Sequence, residues 1–183
     1  AVAWLTQLFG LADHADGKLA EALATIPPGA GGLAFRGALT GSRFPDWKSA
    51  ERGAIAGLDL SHGPLHLLRA ALEGAAFTVA AGLDVYRRCG CLVEEVVVVG
   101  GLAASRPALQ LRADCLRVPV VRLDKQEASS VGIAMLAGVC GGVFHDLDRA
   151  AAVMVSRAER IEPGRSAAPA LEAAYAKWRS SGG

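Results

Sequence analysis

The first third of the chain alternates between short apolar segments and segments rich in turn residues. Residues 2–9 and 18–24 carry apolar side chains at three- and four-residue steps, which predicts two short helices. A run of prolines and glycines at 26–32 ends the second helix. Residues 33–39 and 54–58 have the composition of strands, and we expect them to pair across the polar loop between them.

A long apolar pattern from Pro64 to Gly90 predicts a single helix. Proline suits the first turn of a helix, and Ser61 stands where it can cap that turn. Arg87 and Arg88 complement the negative end of the helix dipole. Apolar residues at three- and four-residue steps share one side of this helix: Leu65, Leu68, Leu72, Ala76, Val79 and Leu83. Small residues let neighbouring elements approach it closely: Ala70, Ala71, Gly74, Ala75, Ala80 and Ala81.

The second half of the chain alternates between strand and helix patterns. Its segments predict a strand buried on both faces, a helix, a second buried strand and a buried helix, at 93–99, 106–117, 118–123 and 127–143. This order predicts an α/β fold in which the two strands lie parallel and are joined by a right-handed crossover. The remaining segment is more polar, and we interpret 146–183 as a helical tail.

The composition is typical of a globular protein, because 52% of the 183 residues are apolar. Nineteen basic and eighteen acidic residues leave a formal charge of +1, which offers no basic field for a nucleic acid. The uncharged run 128–145 reaches the minimal length of a membrane span, but its serines and glycines favour a buried helix. The opening segment has no basic residues before it and does not resemble a signal peptide, so we expect no membrane partner.

Cysteines and histidines are the candidate metal ligands. Cys89 and Cys91 have no second cysteine pair to complete a site, so the four cysteines are interpreted as buried, reduced thiols of a cytoplasmic protein. His62 and His66 are four residues apart, but the glycine and proline between them predict the start of a helix. We therefore expect no protein-bound metal site.

The strand at 93–99 runs directly into Gly100 and Gly101, which makes this junction the candidate binding site. In an open α/β sheet, ligands bind beyond the carboxyl ends of the strands. Glycine lets a flat ring or a phosphate rest on the bare peptide, and Ser105 can cap the next helix or bond to a ligand. The segment lacks the G-x-G-x-x-G dinucleotide pattern, so a plain turn is the alternative.

The segment "VVVVGGLAASRPALQLRADCLRVPV" runs from the buried strand through the glycine pair to the next strand. It resembles the adenosine-binding segment of the FGGY carbohydrate kinases, especially their xylulokinase-like branch. Three further segments are similar to other family motifs: "LTGSRFPDWKSAERGAIAGLDLSH", "LLRAALEGAAF" and "EASSVGIAMLAGV". With the opening "AVAWL", they extend the resemblance from Ala1 to about Phe144.

The resemblance implies a lobe of the actin-like, ribonuclease-H-like ATPase fold, with a mixed sheet flanked by helices. Residues 1–183 would form the C-terminal, nucleotide-binding lobe of a sugar kinase. The N-terminal lobe of the same kinase would contribute the sugar site and the catalytic aspartate, so no catalytic residue is assigned to this chain. ATP and Mg²⁺ are the implied cofactors, and xylulose or a related pentulose or polyol is the implied substrate. A homodimer is left open.

The resemblance also assigns the nucleotide contacts to particular residues. Adenosine would be held by Gly100, Gly101, Leu102 and Ser105, with Val2 and Ala3 on the opposite side of the pocket. Leu102 replaces a family glycine, and Ala108 replaces a family tryptophan. We expect Leu102 to pack inward, because Ala108 leaves space under the following helix.

Two other functions are compatible with the sequence. One is a catalytically inactive nucleotide-binding or regulatory module of the same fold, and the other is a plain α/β interaction domain whose glycines only pack. Arg43 and Arg52 fit either a phosphate contact or a salt bridge within their loop. We expect Asp114 to anchor a local hydrogen bond and Trp47 to pack against the protein.

Overall fold

A computed structural model describes residues 1–10, 15–45, 47–100, 103, 105–124 and 127–181, with the backbone alone for 15–18. The described elements run in the order α1 (Val2–Leu8), α2 (Ala15–Thr25), a short 3-10 turn (Ala30–Gly32), β1 (Ala34–Arg36), β2 (Ala54–Ala56), α3 (Pro64–Arg88), β3 (Val96–Val98), α4 (Arg106–Leu116), β4 (Val120–Leu123), α5 (Ala128–Cys140), α6 (Leu147–Met154), β5 (Arg157–Ile161) and α7 (Ala168–Ser180).

Two small sheets form, and both contain pairings that the sequence predicts. β1 and β2 pair antiparallel, with Ala34 opposite Ala56, although each strand is shorter than predicted. The second sheet has the order β3-β4-β5, and β3 and β4 run parallel on either side of α4 in the sequence. The predicted α/β class is therefore confirmed, with a mixed sheet flanked by helices.

The segment predicted as a helical tail contains two helices and also a strand. β5 pairs antiparallel with β4, where Ile161 lies opposite Val120. Four of its five residues are charged or small, and only Ile161 is buried, so the segment lacks the apolar alternation by which strands are recognised. The tail is thus part of the sheet through β5, and the purely helical prediction is wrong there.

Helix α3 is the centre of the molecule, and thirteen of its residues are buried. Leu68, Leu72 and Leu83 lie in the core as predicted, whereas Val79 is exposed. The predicted close approach occurs at Gly74, where an added Cβ would overlap the carbonyl oxygen of Phe35. Small residues on α3 therefore allow β1 to lie directly against the helix.

The start of α3 differs in detail from the prediction. Pro64 is in the first turn as expected, but the residue that precedes the helix is Gly63, not Ser61. The Nδ1 atom of His66 accepts a hydrogen bond from the Gly63 amide at 3.2 Å. Ser61 instead donates its hydroxyl and its amide to Asp59, at 2.6 Å and 2.8 Å. The helix start that the sequence predicted here is confirmed, and His66 contributes a hydrogen bond to it.

A buried ion pair connects α2 with α3. The Nε atom of Arg69 donates to Glu73 at 2.8 Å, and its Nη1 atom donates to the carbonyl oxygens of Leu23 and Ile26. The same Glu73 oxygen accepts the Gly29 amide at 3.0 Å. Desolvation by burial raises the pKa of Glu73, while the hydrogen bonds from Arg69 and Gly29 act in the opposite direction.

The second face of β3 is open, which contradicts the predicted burial on both faces. Val97 and Val99 are 48% and 42% exposed, while Val96 and Val98 pack against the core under α3 and α4. Helix α5 was expected to be buried as well, but it has no buried residue and packs beside α6. The apolar pattern identified these elements correctly but did not show which neighbours cover them.

All four cysteines are free thiols. Only Cys115 is buried, so the expectation of buried thiols is wrong for the other three. Burial raises the pKa of the Cys115 thiol far above its ordinary value, which keeps it protonated.

Among the described helices, none is both long and apolar enough to cross a membrane.

Candidate functional site

The turn that follows β3 has the geometry of an open backbone surface. Gly100 has φ +89°, a left-handed conformation that favours glycine. An added Cβ at this position would meet no atom of the described residues within 4 Å, so none of them fills the space beside the peptide. The Gly100 carbonyl accepts a hydrogen bond from the Ala103 amide at 2.9 Å, and Ala103 is buried. The turn is therefore anchored on one side and open on the other.

Ser105 precedes α4, and its hydroxyl has no hydrogen-bond partner among the described residues. Its backbone is extended, and its carbonyl accepts the Leu109 amide at 3.0 Å, which starts the helix. Its side chain makes no capping hydrogen bond, although serine is a preferred capping residue. The first amides of a helix lack intrahelical partners, so this hydroxyl lies at the end of α4 that presents hydrogen-bond donors.

Helix α4 is held firmly behind this site. Asp114 accepts hydrogen bonds from the Gln110 side chain at 2.8 Å and from the Gly164 amide at 2.7 Å, which confirms its expected local role. At the first turn, Arg106 donates its Nε atom to Glu159 of β5 at 2.9 Å. These bonds connect α4 to the tail at both ends, so the position of Ser105 is fixed by the sheet and the tail together.

Of the remaining predicted contacts, Val2 and Ala3 lie in another part of the described structure. Gly101 and Leu102 lie outside the described residues. Val2 is half-buried and packs against the clusters around α3 and β1, while Ala3 is exposed. The turn after β3 belongs to a different cluster, formed around α4 and β4. Gly100 and Ser105 thus belong to one strand–turn–helix unit, and both the site and its predicted opposite wall stay predictions.

The arginines and the tryptophan of the loop between β1 and β2 differ in their surroundings. Arg52 donates to the carbonyl oxygens of Ser49 and Glu51, at 2.9 Å and 2.8 Å, so it stabilises its own loop without a carboxylate. Arg43 lines a cavity that the sequence did not reveal. Trp47 is 72% exposed, so the expectation that it packs into the protein is wrong.

Comparison with known proteins identifies the family that this chain matches. Residues 1–140 match the family model described as "FGGY family of carbohydrate kinases, C-terminal domain". The chain is 40% identical over 164 residues to a glycerol kinase of Citrifermentans bemidjiense, covering 89% of this chain and 32% of that protein. It is 34% identical over 146 residues to the xylulose kinase of Bacillus subtilis, covering 80% of this chain and 29% of that protein.

Solved structures agree with the sequence comparison. The xylulose kinase of Rhodospirillum rubrum superposes with a TM-score of 0.83 at 29% identity, over 98% of this chain and 36% of that one. Plasmodium falciparum glycerol kinase with ADP shares the fold, with a TM-score of 0.78 at 21% identity, over 98% of this chain and 36% of that one. The chain thus spans about a third of the length of these relatives and has the actin-like ATPase fold that they share. It belongs to the FGGY family of carbohydrate kinases, matching the C-terminal domain of that family.

Proposed function

We propose that this chain is the ATP-binding lobe of a carbohydrate kinase that transfers the γ-phosphate of ATP to a hydroxyl of xylulose or a related pentulose or polyol. The observation that carries the proposal is the Gly100 turn, open among the described residues, followed by a Ser105 hydroxyl that has no partner among them. A flat ring or a ribose can approach a bare peptide closely, and the serine hydroxyl can bond to it. This geometry supports Gly100 and Ser105 as adenosine contacts, while Gly101, Leu102, Val2 and Ala3 are assigned from the family resemblance alone.

The proposed chemistry divides between two parts of one kinase. Phosphoryl transfer depends mainly on positioning and on stabilisation of charge, so a lobe that fixes adenosine contributes by holding the phosphates in place. Mg²⁺ would neutralise phosphate charge, and the N-terminal lobe would supply the sugar contacts and the base. By itself, this chain should bind nucleotide but phosphorylate no sugar. The kinases named above are metabolic enzymes, which favours a cytoplasmic location.

An exposed apolar surface supports the proposal that a further part of the polypeptide packs on this lobe. Val97 and Val99 on the open face of β3 lie directly before the Gly100 turn. Ile133 and Leu136 of α5 are also more than half exposed. Large apolar side chains exposed on neighbouring positions of one element often mark an interface. Such a contact would bring the covering segment close to the proposed nucleotide site.

Calorimetric titration of the protein with ATP and Mg²⁺ tests the proposal. Ser105→Ala should weaken ATP binding by about 2–10-fold, because one neutral hydrogen bond contributes about 0.5–1.5 kcal/mol. Gly100→Ala should weaken it more, since a Cβ would occupy the space where the ligand rests. Ser166→Ala is the matched control, because Ser166 is exposed in the turn before α7 and should leave affinity unchanged.

The outcomes separate the alternatives. If ATP does not bind at all, the glycines only pack and the chain is an interaction domain. If ATP binds but the complete polypeptide, assayed with a panel of pentoses and polyols, transfers no phosphate, the chain is a nucleotide-binding or regulatory module. If ATP binds equally well to all three variants, the nucleotide site is elsewhere.

A further inference from the structure

A strongly basic cavity lies between the loop after β1, the second half of α3 and the end of α7. Its volume is about 500 Å³, within the range of small-molecule sites. Five cationic side chains line it, and no carboxylate does so among the described residues: Arg36, Arg43, Lys48, Arg88 and Arg179. None of the lining residues comes from 89–177, so the cavity is separate from the Gly100 turn.

Arg36, one of the lining arginines, is held in position by several contacts. Arg36 donates its Nε and Nη2 atoms to Glu51, at 3.1 Å and 2.5 Å, and its Nη1 atom to the Trp178 carbonyl at 3.2 Å. Its guanidinium carbon lies 4.5 Å from the centre of the Trp178 ring, a cation–π distance. Glu51 pairs with Arg36 through its Oε1 atom and is not among the residues that line the cavity.

The rim of the cavity carries charge that is not compensated. The described residues do not include Asp46. Among them, no carboxylate forms an ion pair with Arg43, Lys48 or Arg88. Arg179 lies beside the Tyr175 hydroxyl, which donates to Asp84. Like charges gathered around one concavity repel each other, and a bound anion relieves that repulsion.

The loop that carries part of this rim is held in place. The Ser42 amide donates to the Lys48 carbonyl at 2.9 Å, which closes the loop between Arg43 and Lys48. Phe44 packs on α3 at Gly82, where an added Cβ would lie 2.6 Å from the ring. The cavity is therefore present before any ligand binds, with the aromatic ring of Phe44 beside its basic groups.

We propose that this basic cavity binds a small phosphate-bearing metabolite, with arginines and lysine on the phosphate and Phe44 against the carbon skeleton. Guanidinium groups match phosphate oxygens in charge and in geometry, and lysine adds a point charge. The cavity is large enough for a sugar phosphate or a second phosphate group. The proposal does not depend on the nucleotide site.

Calorimetric titration with pyrophosphate, ribose 5-phosphate and unphosphorylated ribose tests this site, with ADP present in excess to fill any nucleotide site. We expect both phosphate compounds to bind and ribose to show no heat. Arg43→Gln with Arg88→Gln should weaken pyrophosphate binding about tenfold or more, because two charged hydrogen-bond donors are lost. Arg149→Gln with Arg165→Gln is the matched control, since it removes the same charge from exposed positions outside the cavity.

All four arginines are exposed, so we expect each variant to fold. Circular dichroism of each variant checks this expectation. Lys48→Gln provides an independent variant at the other end of the loop and should also weaken binding. The proposal is overturned if neither phosphate compound binds at millimolar concentration. It is equally overturned if the cavity variants and the control variant bind pyrophosphate with the same affinity.

Discussion

Arg69→Met tests how the core around α3 is held together. Arg69 and Glu73 side chains are only 8% and 2% exposed, so the substitution would leave a buried carboxylate with the Gly29 amide as its remaining donor. Removing one partner of a buried ion pair typically costs about 3–5 kcal/mol. The carbonyl oxygens of Leu23 and Ile26 would also lose their donor. We therefore expect a loss of about 3–5 kcal/mol, a large part of the roughly 5–15 kcal/mol that stabilises a typical domain.

The loss should depend on pH. Burial already raises the pKa of Glu73, and removing Arg69, whose contacts lower that pKa, would raise it further. For a carboxyl whose folded-state pKa exceeds its unfolded value of about 4.3, stability is greatest at low pH and falls as pH rises through the folded pKa. Arg69→Met should therefore be less destabilising near about pH 5 than near about pH 8.

Urea unfolding followed by circular dichroism measures this loss at each pH. The double variant Arg69→Met with Glu73→Leu should recover most of the stability, because no buried charge then remains unpaired. It should not recover all of it, because the carbonyls of Leu23 and Ile26 and the amide of Gly29 still lack partners. A loss below about 1 kcal/mol in the single variant, or no recovery in the double variant, would show that an unpaired buried charge is not what destabilises the protein.

Two of the remaining predictions follow from the packing of described residues, and the third tests the prediction from the sequence that Leu102 packs inward. Gly74→Ala should lower stability by about 1–3 kcal/mol, because a Cβ would press on the Phe35 carbonyl, whereas Gly132→Ala, with open space around it, should be neutral or stabilising in the same thermal melts. A thiol reagent should modify three cysteines quickly and Cys115 only after denaturation, and four fast thiols would contradict its burial. Leu102→Gly should destabilise the protein by about 2–5 kcal/mol with little change in ATP affinity, and tighter ATP binding with an unchanged melt would show that Leu102 faces the pocket.

Local patterns were enough to predict most of the elements. The apolar spacing of α3 and its proline start identified that helix, and the valine run before Gly100 identified β3. These signals arise from the chain itself, since periodicity and turn residues act over a few positions. The strand β5 was missed because pairing with β4, not its own composition, makes it a strand.

The features that were not predicted come from residues far apart in the sequence. The basic cavity combines Arg36, Arg43, Arg88 and Arg179, and no spacing rule connects these positions. The exposure of α5 and of one face of β3 depends on which neighbours are present, which an apolar pattern does not specify. Gly100 and Ser105 could be proposed as a site from the sequence because they lie five residues apart on one strand–turn–helix unit, and that site stays a prediction.

Hydrogen–deuterium exchange with and without ADP and Mg²⁺ is the sharpest test of the proposed site after β3, because it locates the nucleotide without any substitution. We expect slower exchange in the peptide covering 96–109, which contains the Gly100 turn and the first turn of α4. Exchange in the peptide covering 168–180 should stay unchanged. Nucleotide binding that leaves 96–109 unprotected, or that protects only the basic cavity at 36–48 and 78–88, would show that the nucleotide does not bind at this turn.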